Sequence, residues 1–477
     1  MQLLDESSKS RKIELTFIKL ALIFGILFVF LTPPMQSPDE DSHYRKSVSI
    51  AFGYLLPQGT TGSATMKIPK AALDFASAYN GLIGNMDQKY TFSQMVFSNW
   101  LPADWSQVVD VPYSTAESCF ILHLPQAAGM VIGRLLSFVL GKNSFTPITA
   151  MYMGRLGNLL FYIFLITLAI KLSPVYKRLI FAAGLLPTML FLASTESYDV
   201  FAYGGVTLLI AYILNLWHNK KIANISYKEH LILAFIALLI VLGKFVYIPA
   251  ILLALFIPSS KYRSLKNKIL CNVLTGGVIL ALYLLFKTVN GIYLNAAAGG
   301  ASQSSQQVAF ILANPFQFIW IVLRTIKNMA FLYLKNGLAT LGAIDTNFPS
   351  IIVIFVIFYL LFMILADGLH SVNNGIGYRL AILAMTLGIV GLIEAALYVS
   401  WTSLPQYGGV GAPIVDGVQG RYFLPLIPIF AQLFSFKPSG NKIREKLDNM
   451  AETIYVPCSK FFLAASGFIL LLRYWVG

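Results

Sequence analysis

Apolar runs of membrane-spanning length recur from residue 14 to the end of the chain, parted by short hydrophilic breaks that hold most of the Lys and Arg. This pattern restricts the fold more than any motif does. About 20 apolar residues, rising ~1.5 Å each, cross the ~30 Å hydrocarbon core of a bilayer, and only helices or closed barrels satisfy their backbone there. Runs this long and this continuously apolar read as helices. Charged residues make up 12% of the chain and the mean hydropathy is +0.70, which excludes an ordinary soluble domain. The formal charge of +14 does not call for nucleic acid as a partner. Cations gathered in loops between apolar runs encode orientation in a membrane. Cys119, Cys271 and Cys458 are far apart and lie in or beside apolar segments, so they offer neither a metal spacing nor a disulfide framework.

The charge distribution orders the chain. Residues 1–13 are basic and cytoplasmic, and residues 14–32 form a retained signal anchor, since Pro33-Pro34 rather than a small-residue cleavage site follows. Residues 33–146 are then a long extracytoplasmic loop with order of its own. Within it, residues 120–140 are long enough to cross, but a crossing would place Lys171, Lys177 and Arg178 outside and invert every later loop. An interfacial or re-entrant helix begun by His123-Leu124-Pro125 keeps the basic loops inside. The remaining spans fall near 147–170, 179–196, 199–217, 229–243, 245–257, 269–288, 350–366, 379–400, 421–436 and 459–476. The fold expected is an all-α integral membrane bundle of about eleven transmembrane helices, its C-terminus outside. Regions 147–288 and 350–477 hold the bundle. Region 289–349 is a second outer loop, with the small-residue run Ala296–Ser305 and an interfacial helix from Asn314-Pro315 that carries Arg324, Lys327 and Lys335.

The stretch Pro38-Asp39-Glu40-Asp41-Ser42-His43-Tyr44-Arg45 places three consecutive carboxylates just past the first span. Ser37, Pro38 and Glu40 fit a capping box with proline at the first helical position. Asp39 and His43, four apart, share a face. Tyr44, Val48, Ala51, Phe52 and Leu55 recur at helical spacing and predict a helix lying along the membrane. On a local view the acids only favour the positive end of a helix dipole.

Other charges gather at the outer ends of spans, where charge is costly and points to function. Arg155 begins the second span, Glu196 and Asp199 share one turn, and Lys244 sits in a tight turn before Phe245-Val246-Tyr247. Glu394 lies in the outer half of its span, and Arg421 enters the tenth behind Gly417-Val418-Gln419-Gly420. Each has a plainer reading: Arg155 as a snorkelling cation, Asp199 as a helix cap, Lys244 and Glu394 as a structural pair. Gly417 and Gly420 would let the backbone approach a ligand closely at Arg421. Trp100, Trp105 and Tyr113 suit either sugar stacking or an interfacial aromatic belt.

Carboxylates and cations at a membrane edge suit transfer of a sugar from a lipid-linked phosphate. Cations hold the phosphate and offset its leaving charge, and a carboxylate takes the proton of the acceptor hydroxyl. Asp39 is the first choice for that base and Glu40 the second. His43, Arg155, Asp199, Lys244, Tyr247, Glu394, Gln419, Arg421 and Tyr422 are the candidate substrate contacts. Asp39, Glu40 and Asp41 could hold Mg²⁺ or Mn²⁺, although a carrier-phosphate donor requires no metal cofactor. No nucleotide loop, zinc motif or serine triad signature competes.

Four stretches together resemble a bacterial membrane family, domain of unknown function 2142. They are Pro38 to Arg45, Leu186-Pro187 to Asp199, Lys244 with Tyr247-Ile248-Pro249, and Gly417-Val418-Gln419-Gly420-Arg421-Tyr422-Phe423-Leu424-Pro425. Asp41 departs from the proline more usual there. That family is similar in layout to GT-C class glycosyltransferases. The resemblance implies a catalytic acid at Asp39-Glu40, a second interfacial helix at His123-Leu124-Pro125, and a polyprenyl-phosphate sugar donor with a cell-surface glycan, teichoic acid or lipid-linked acceptor. A separate enzyme or flippase would supply the donor on the outer face. A flippase of lipid-linked glycans and a surface-polysaccharide polymerase or ligase are the alternative functions. Transporters commonly carry internal repeats, and none is evident in this chain.

Overall fold

The helix Asp199–His218 is buried on nearly every side, and the other elements are wrapped around it. An apolar helix with no polar face belongs at the centre of its bundle. In the computed structural model the described residues are 2–60, 63–98, 103–139, 145–295, 302–369, 375–435 and 441–476. Trp100, residues 296–301 of the small-residue run, and Lys437 lie outside them.

The protein is an all-α polytopic membrane protein. Among the described residues, nine helices are long and apolar enough to cross a bilayer, or ten if the bent pair Gln303–Ala313 and Pro315–Leu338 counts as one span. The expectation of about eleven differs because length and straightness miss several passes. One is broken at Pro187 into Lys177–Gly184 and Pro187–Ala193, with Leu186 extended as a residue before proline must be. Another runs through Gly420–Leu426, Ile427–Phe430 and Ala431–Phe434, largely as 3-10 helix. The single stretch Tyr227–Phe256 folds back at Lys244, whose φ of −139° and ψ of 89° leave the helix. Its two feet meet: the Ile225 amide donates to the Lys261 carbonyl at 2.7 Å, and Lys261 Nζ donates to the Asn219 and Ile222 carbonyls at 2.8 Å. The returning limb, Phe245–Phe256, is 3-10 helix with Pro249 inside. At ~2 Å per residue, such a limb covers more distance than an α-helix of equal length.

Phe120–Val139 passes the length test yet does not carry the chain across. It runs antiparallel along the first half of Pro147–Leu172, where a Cβ on Gly129 would sit 2.0 Å from the Met153 carbonyl oxygen and one on Gly157 2.2 Å from that of Pro125. The segment thus packs back along the helix that follows it.

Hydrogen bonds define the two ends of the bundle. At one end Lys177 Nζ bonds Ser10 Oγ, and Arg178 joins Asp367 at 2.8 Å and Asp448 at 2.6 Å. At the other, the Trp475 indole donates to the Leu31 carbonyl, and Arg473 reaches the Leu82 carbonyl and Asp345. This second end also carries a small sheet. Ser63–Pro69 pairs antiparallel with Gln58–Thr60 and Val108–Pro112, and Leu294–Asn295 adds in parallel beside Gln58–Thr60. The sheet roofs the short helix Glu40–Ala51, whose Lys46 Nζ lies 2.7 Å from the Ala116 carbonyl and 2.9 Å from Met66 Sδ.

The start of that helix differs from expectation. Asp39, not Ser37, is the N-cap, with φ of 59° and no capping hydrogen bond from its side chain. Ser37 Oγ turns instead to Thr195 Oγ1 at 3.1 Å. The chain must turn sharply out of the first helix, and Met35 and Asp39 both take left-handed backbone to do so. That strain prevails over the local capping preference. Tyr44 and Val48 are buried as the spacing predicts, whereas Leu55 lies beyond the helix and is exposed.

Candidate functional site

The left-handed backbone at Asp39 sends two adjacent acids in different directions. Glu40 points inward to Arg155, Nε to Oε1 at 2.8 Å and Nη2 to Oε2 at 3.0 Å, with both side chains fully buried. The remaining Arg155 donors cap the first helix through the carbonyls of Val29, Thr32 and Pro33. The Glu196 amide donates to Glu40 Oε1 at 3.2 Å. These residues form a structural clasp. Glu40 as the second-choice base and Arg155 as a substrate contact are therefore corrected: every oxygen and nitrogen involved is already engaged. Burial, and then the Glu40 charge, hold the Glu196 carboxyl well above the usual carboxylate range.

Asp39 points outward, with 56% of its side chain exposed, and meets Arg421 Nη2 at 2.8 Å. Arg421 Nη1 lies 3.2 Å from Asp199 Oδ2, and Lys244 Nζ lies 2.5 Å from Asp199 Oδ1. Lys244 also sits over the Tyr422 ring, 4.2 Å from its centroid, and the Tyr247 hydroxyl donates to the Tyr422 carbonyl at 2.6 Å. Thus Asp39, Asp199, Lys244, Tyr247, Arg421 and Tyr422 converge from four separate parts of the chain. Asp199 does begin a helix, but its carboxylate serves the two cations rather than a cap.

His43 closes the side of the cluster. Its Nδ1 is 3.1 Å from His123 Nε2, and Tyr198 stands edge-on to its ring at 4.7 Å. Burial pushes the His43 imidazole down to about 4, outweighing the upward pull of Asp39 and Asp199. The neutral pair shares one N–H between the facing nitrogens. His123 and Tyr198 were not singled out as site residues; His123-Leu124-Pro125 marked a helix start only, and Tyr198 stood beside Asp199 without a signal of its own.

Other expectations move away from the site. Glu394 is buried against Tyr333, not paired with Lys244, whose carboxylate partner is Asp199. Gln419 lines the small pocket behind Arg421 with Pro38 and Thr340, its Oε1 buried without a hydrogen bond. Gly420 serves packing rather than ligand approach, since a Cβ there would fall 1.9 Å from the Tyr333 carbonyl oxygen and 2.3 Å from the Gly337 nitrogen. Gly417, with φ of 85°, lies against the Trp401 ring. Trp105 stacks between Phe52 and Phe145, and Tyr113 bonds Ser49, so both are structural. Asp41 pairs with Arg45 at 3.3 Å. The three consecutive acids thus face three different cations and do not form a chelate. Among the described residues no cluster of three His, Cys, Asp or Glu has metal-binding geometry.

Two apolar grooves are lined in part by neighbours in sequence of these residues: Gly420, next to Arg421, and Leu124, next to His123. One, of about 320 Å³, begins at Gly420 and Phe423 and runs down between Pro315–Leu338 and Ser350–Gly368, past Leu360 and Ile364. A larger one, of about 1110 Å³, begins at Leu124 and Pro125 and descends along Leu160 and Phe164.

The family model described as "Predicted membrane protein (DUF2142)" matches residues 22–430, which include every member of the cluster. No curated protein and no solved structure matches the chain.

Proposed function

The chain belongs to the DUF2142 family of predicted membrane proteins, and from that premise we propose that it is an inverting glycosyltransferase using a polyprenyl-phosphate sugar donor on the extracytoplasmic face. The observation that carries this reading is the Asp39–Arg421–Asp199–Lys244 chain, with an apolar groove lined by Gly420, the residue before Arg421. A half-exposed carboxylate beside one buried and one partly exposed cation matches the charge pattern of the reaction. The prenyl tail lies in the groove that begins at Gly420 and Phe423, which brings its phosphate to Arg421 and Lys244. Asp39 takes the proton from the acceptor hydroxyl as that oxygen bonds to the anomeric carbon. The bond from the anomeric carbon to the phosphate oxygen breaks, and its electron pair leaves with polyprenyl phosphate. Arg421 and Lys244 offset the charge gained there. Direct displacement inverts the anomeric centre.

The neutral His43–His123 pair positions the helix that carries Asp39 and adds no charge to the site. The acceptor is a cell-surface glycan, teichoic acid or lipid-linked sugar, approaching from the exposed side of Asp39. Donor synthesis and its movement across the membrane fall to separate partners. No step requires a metal.

The test is transfer by purified protein in nanodiscs with a panel of polyprenyl-phosphate sugars. Release of polyprenyl phosphate by the native protein, lost in Asp39→Asn with folding intact, supports the reading. Unaltered turnover in Asp39→Asn sinks it, as does movement of lipid-linked glycan across vesicles without any transfer.

A further inference from the structure

The cations proposed to bind phosphate already have carboxylate partners. Lys244 and Arg421 bring two positive charges, and Asp199 and Asp39 bring two negative ones. The surrounding ionisable groups leave this balance unchanged. Glu40 is matched by Arg155 and Asp41 by Arg45, burial disfavours the charged form of the Glu196 carboxyl, and the buried His43 imidazole is held down to about 4. A phosphate entering such a site adds negative charge to a set that sums to zero, and one carboxylate must give way.

The two acids differ in how firmly they are held. Asp199 is 12% exposed, contacts both cations and stands on the first turn of the central helix. Asp39 is 56% exposed, makes one contact through Arg421 Nη2, and sits on a strained left-handed residue outside the helix it precedes. An ion pair with one partner in water contributes little. Meanwhile the Arg421 side chain is only 6% exposed, its Nε has no hydrogen-bond partner among the described residues, and its Nη1 has only the 3.2 Å ion-pair contact with Asp199. A planar guanidinium with unused donors accepts a phosphate at two points, which one carboxylate oxygen on Nη2 does not match.

From this we infer that Asp39 and a phosphate anion compete for Arg421, so that arrival of the phosphate releases the Asp39 carboxylate. Arg421 is then a latch. It holds the carboxylate until the donor phosphate replaces it, and the base becomes available only when there is a sugar to transfer. The inference rests on reading the cluster as a phosphate site and makes donor binding precede activation of the acceptor.

Farnesyl phosphate serves as a short probe, titrated into full-length protein in detergent, with inorganic phosphate and farnesol as separate arms. Asp39→Asn is expected to bind farnesyl phosphate about tenfold more tightly than the native protein, since the competing charge is gone. The added Arg421→Ala change should abolish the gain. Equal or weaker binding by folded Asp39→Asn overturns the latch. If inorganic phosphate shows the same gain, the free anion operates it; a gain confined to farnesyl phosphate assigns it to the lipid-borne anion. In the native protein, carbodiimide labelling of Asp39, read by mass spectrometry, should quicken with farnesyl phosphate and not with farnesol. Labelling unchanged or slowed by the phosphate overturns the inference without depending on any variant. Tighter binding in Asp39→Asn with no sugar transfer by the native protein would keep the latch and remove the transferase. Transfer lost in Asp39→Asn with binding unchanged would do the reverse.

Discussion

Glu40 and Arg155 are 115 residues apart in sequence and meet in a two-point ion pair closed to solvent on both sides. Asp39, the residue before, keeps 56% of its side chain exposed and faces Arg421. One peptide bond separates an acid locked inside the bundle from an acid open to solvent.

The two acids should therefore fail differently. Asp39→Asn should retain native melting and lose transfer by about 10²- to 10⁴-fold, the usual worth of a general base. Glu40→Gln leaves Arg155 buried without its counter-ion, at a cost of about 3–5 kcal/mol. Thermal unfolding in detergent alongside single-turnover transfer separates them. A stable, active Glu40→Gln protein would contradict the clasp.

Gly420→Ala tests the placement of Arg421. An added methyl would collide with backbone atoms of Tyr333 and Gly337, which cannot rotate away. Overpacking of this kind costs about 1–3 kcal/mol and shifts the backbone. The expected result is a lowered melting temperature with a disproportionate fall in transfer, because the displaced residue carries the guanidinium. Gly388→Ala, with open space around its Cβ, is the control and should change neither.

His43 predicts an acid sensitivity of known sign. Its imidazole falls from the ordinary 6.5 to about 4 in the fold, so the unfolded chain binds the proton more readily. Stability is fully present above about pH 6.5 and declines as pH falls toward 4, by up to about 3 kcal/mol. His43→Asn should flatten that part of the melting-temperature profile between pH 7 and 4.5. Parallel profiles for the two proteins would refute it.

Lys46 predicts the reverse of a usual lysine effect. Burial without a carboxylate lowers its ammonium from 10.5 to about 7. The unfolded chain holds that proton more tightly, so this group makes stability rise from pH 7 to about 10.5. Lys46→Met should raise the melting temperature at pH 7 and show a smaller gain at pH 10. A larger gain at pH 10 would show that Lys46 is charged in the fold.

Much of this architecture was legible from the chain alone. Apolar run length predicts the long apolar helices, including the pair that folds back at Lys244, because a bilayer admits few arrangements of such segments. The same physics marks Asp39, Asp199, Lys244 and Arg421, since charge at a membrane edge is rarely idle. What sequence could not assign is the partner of each charge. Glu40 and Asp39 read alike as neighbours, Glu394 and Lys244 read as a pair, and Gly420 read as a ligand contact. A left-handed residue at Asp39, a histidine pair joining the helix Glu40–Ala51 to the short helix Phe120–His123, and a glycine pressed against a distant helix decide otherwise. Hydrophobic pattern is carried by consecutive residues and so is determined by the sequence itself. The pairing of charges depends on distances between segments hundreds of residues apart, and only the tertiary structure decides those.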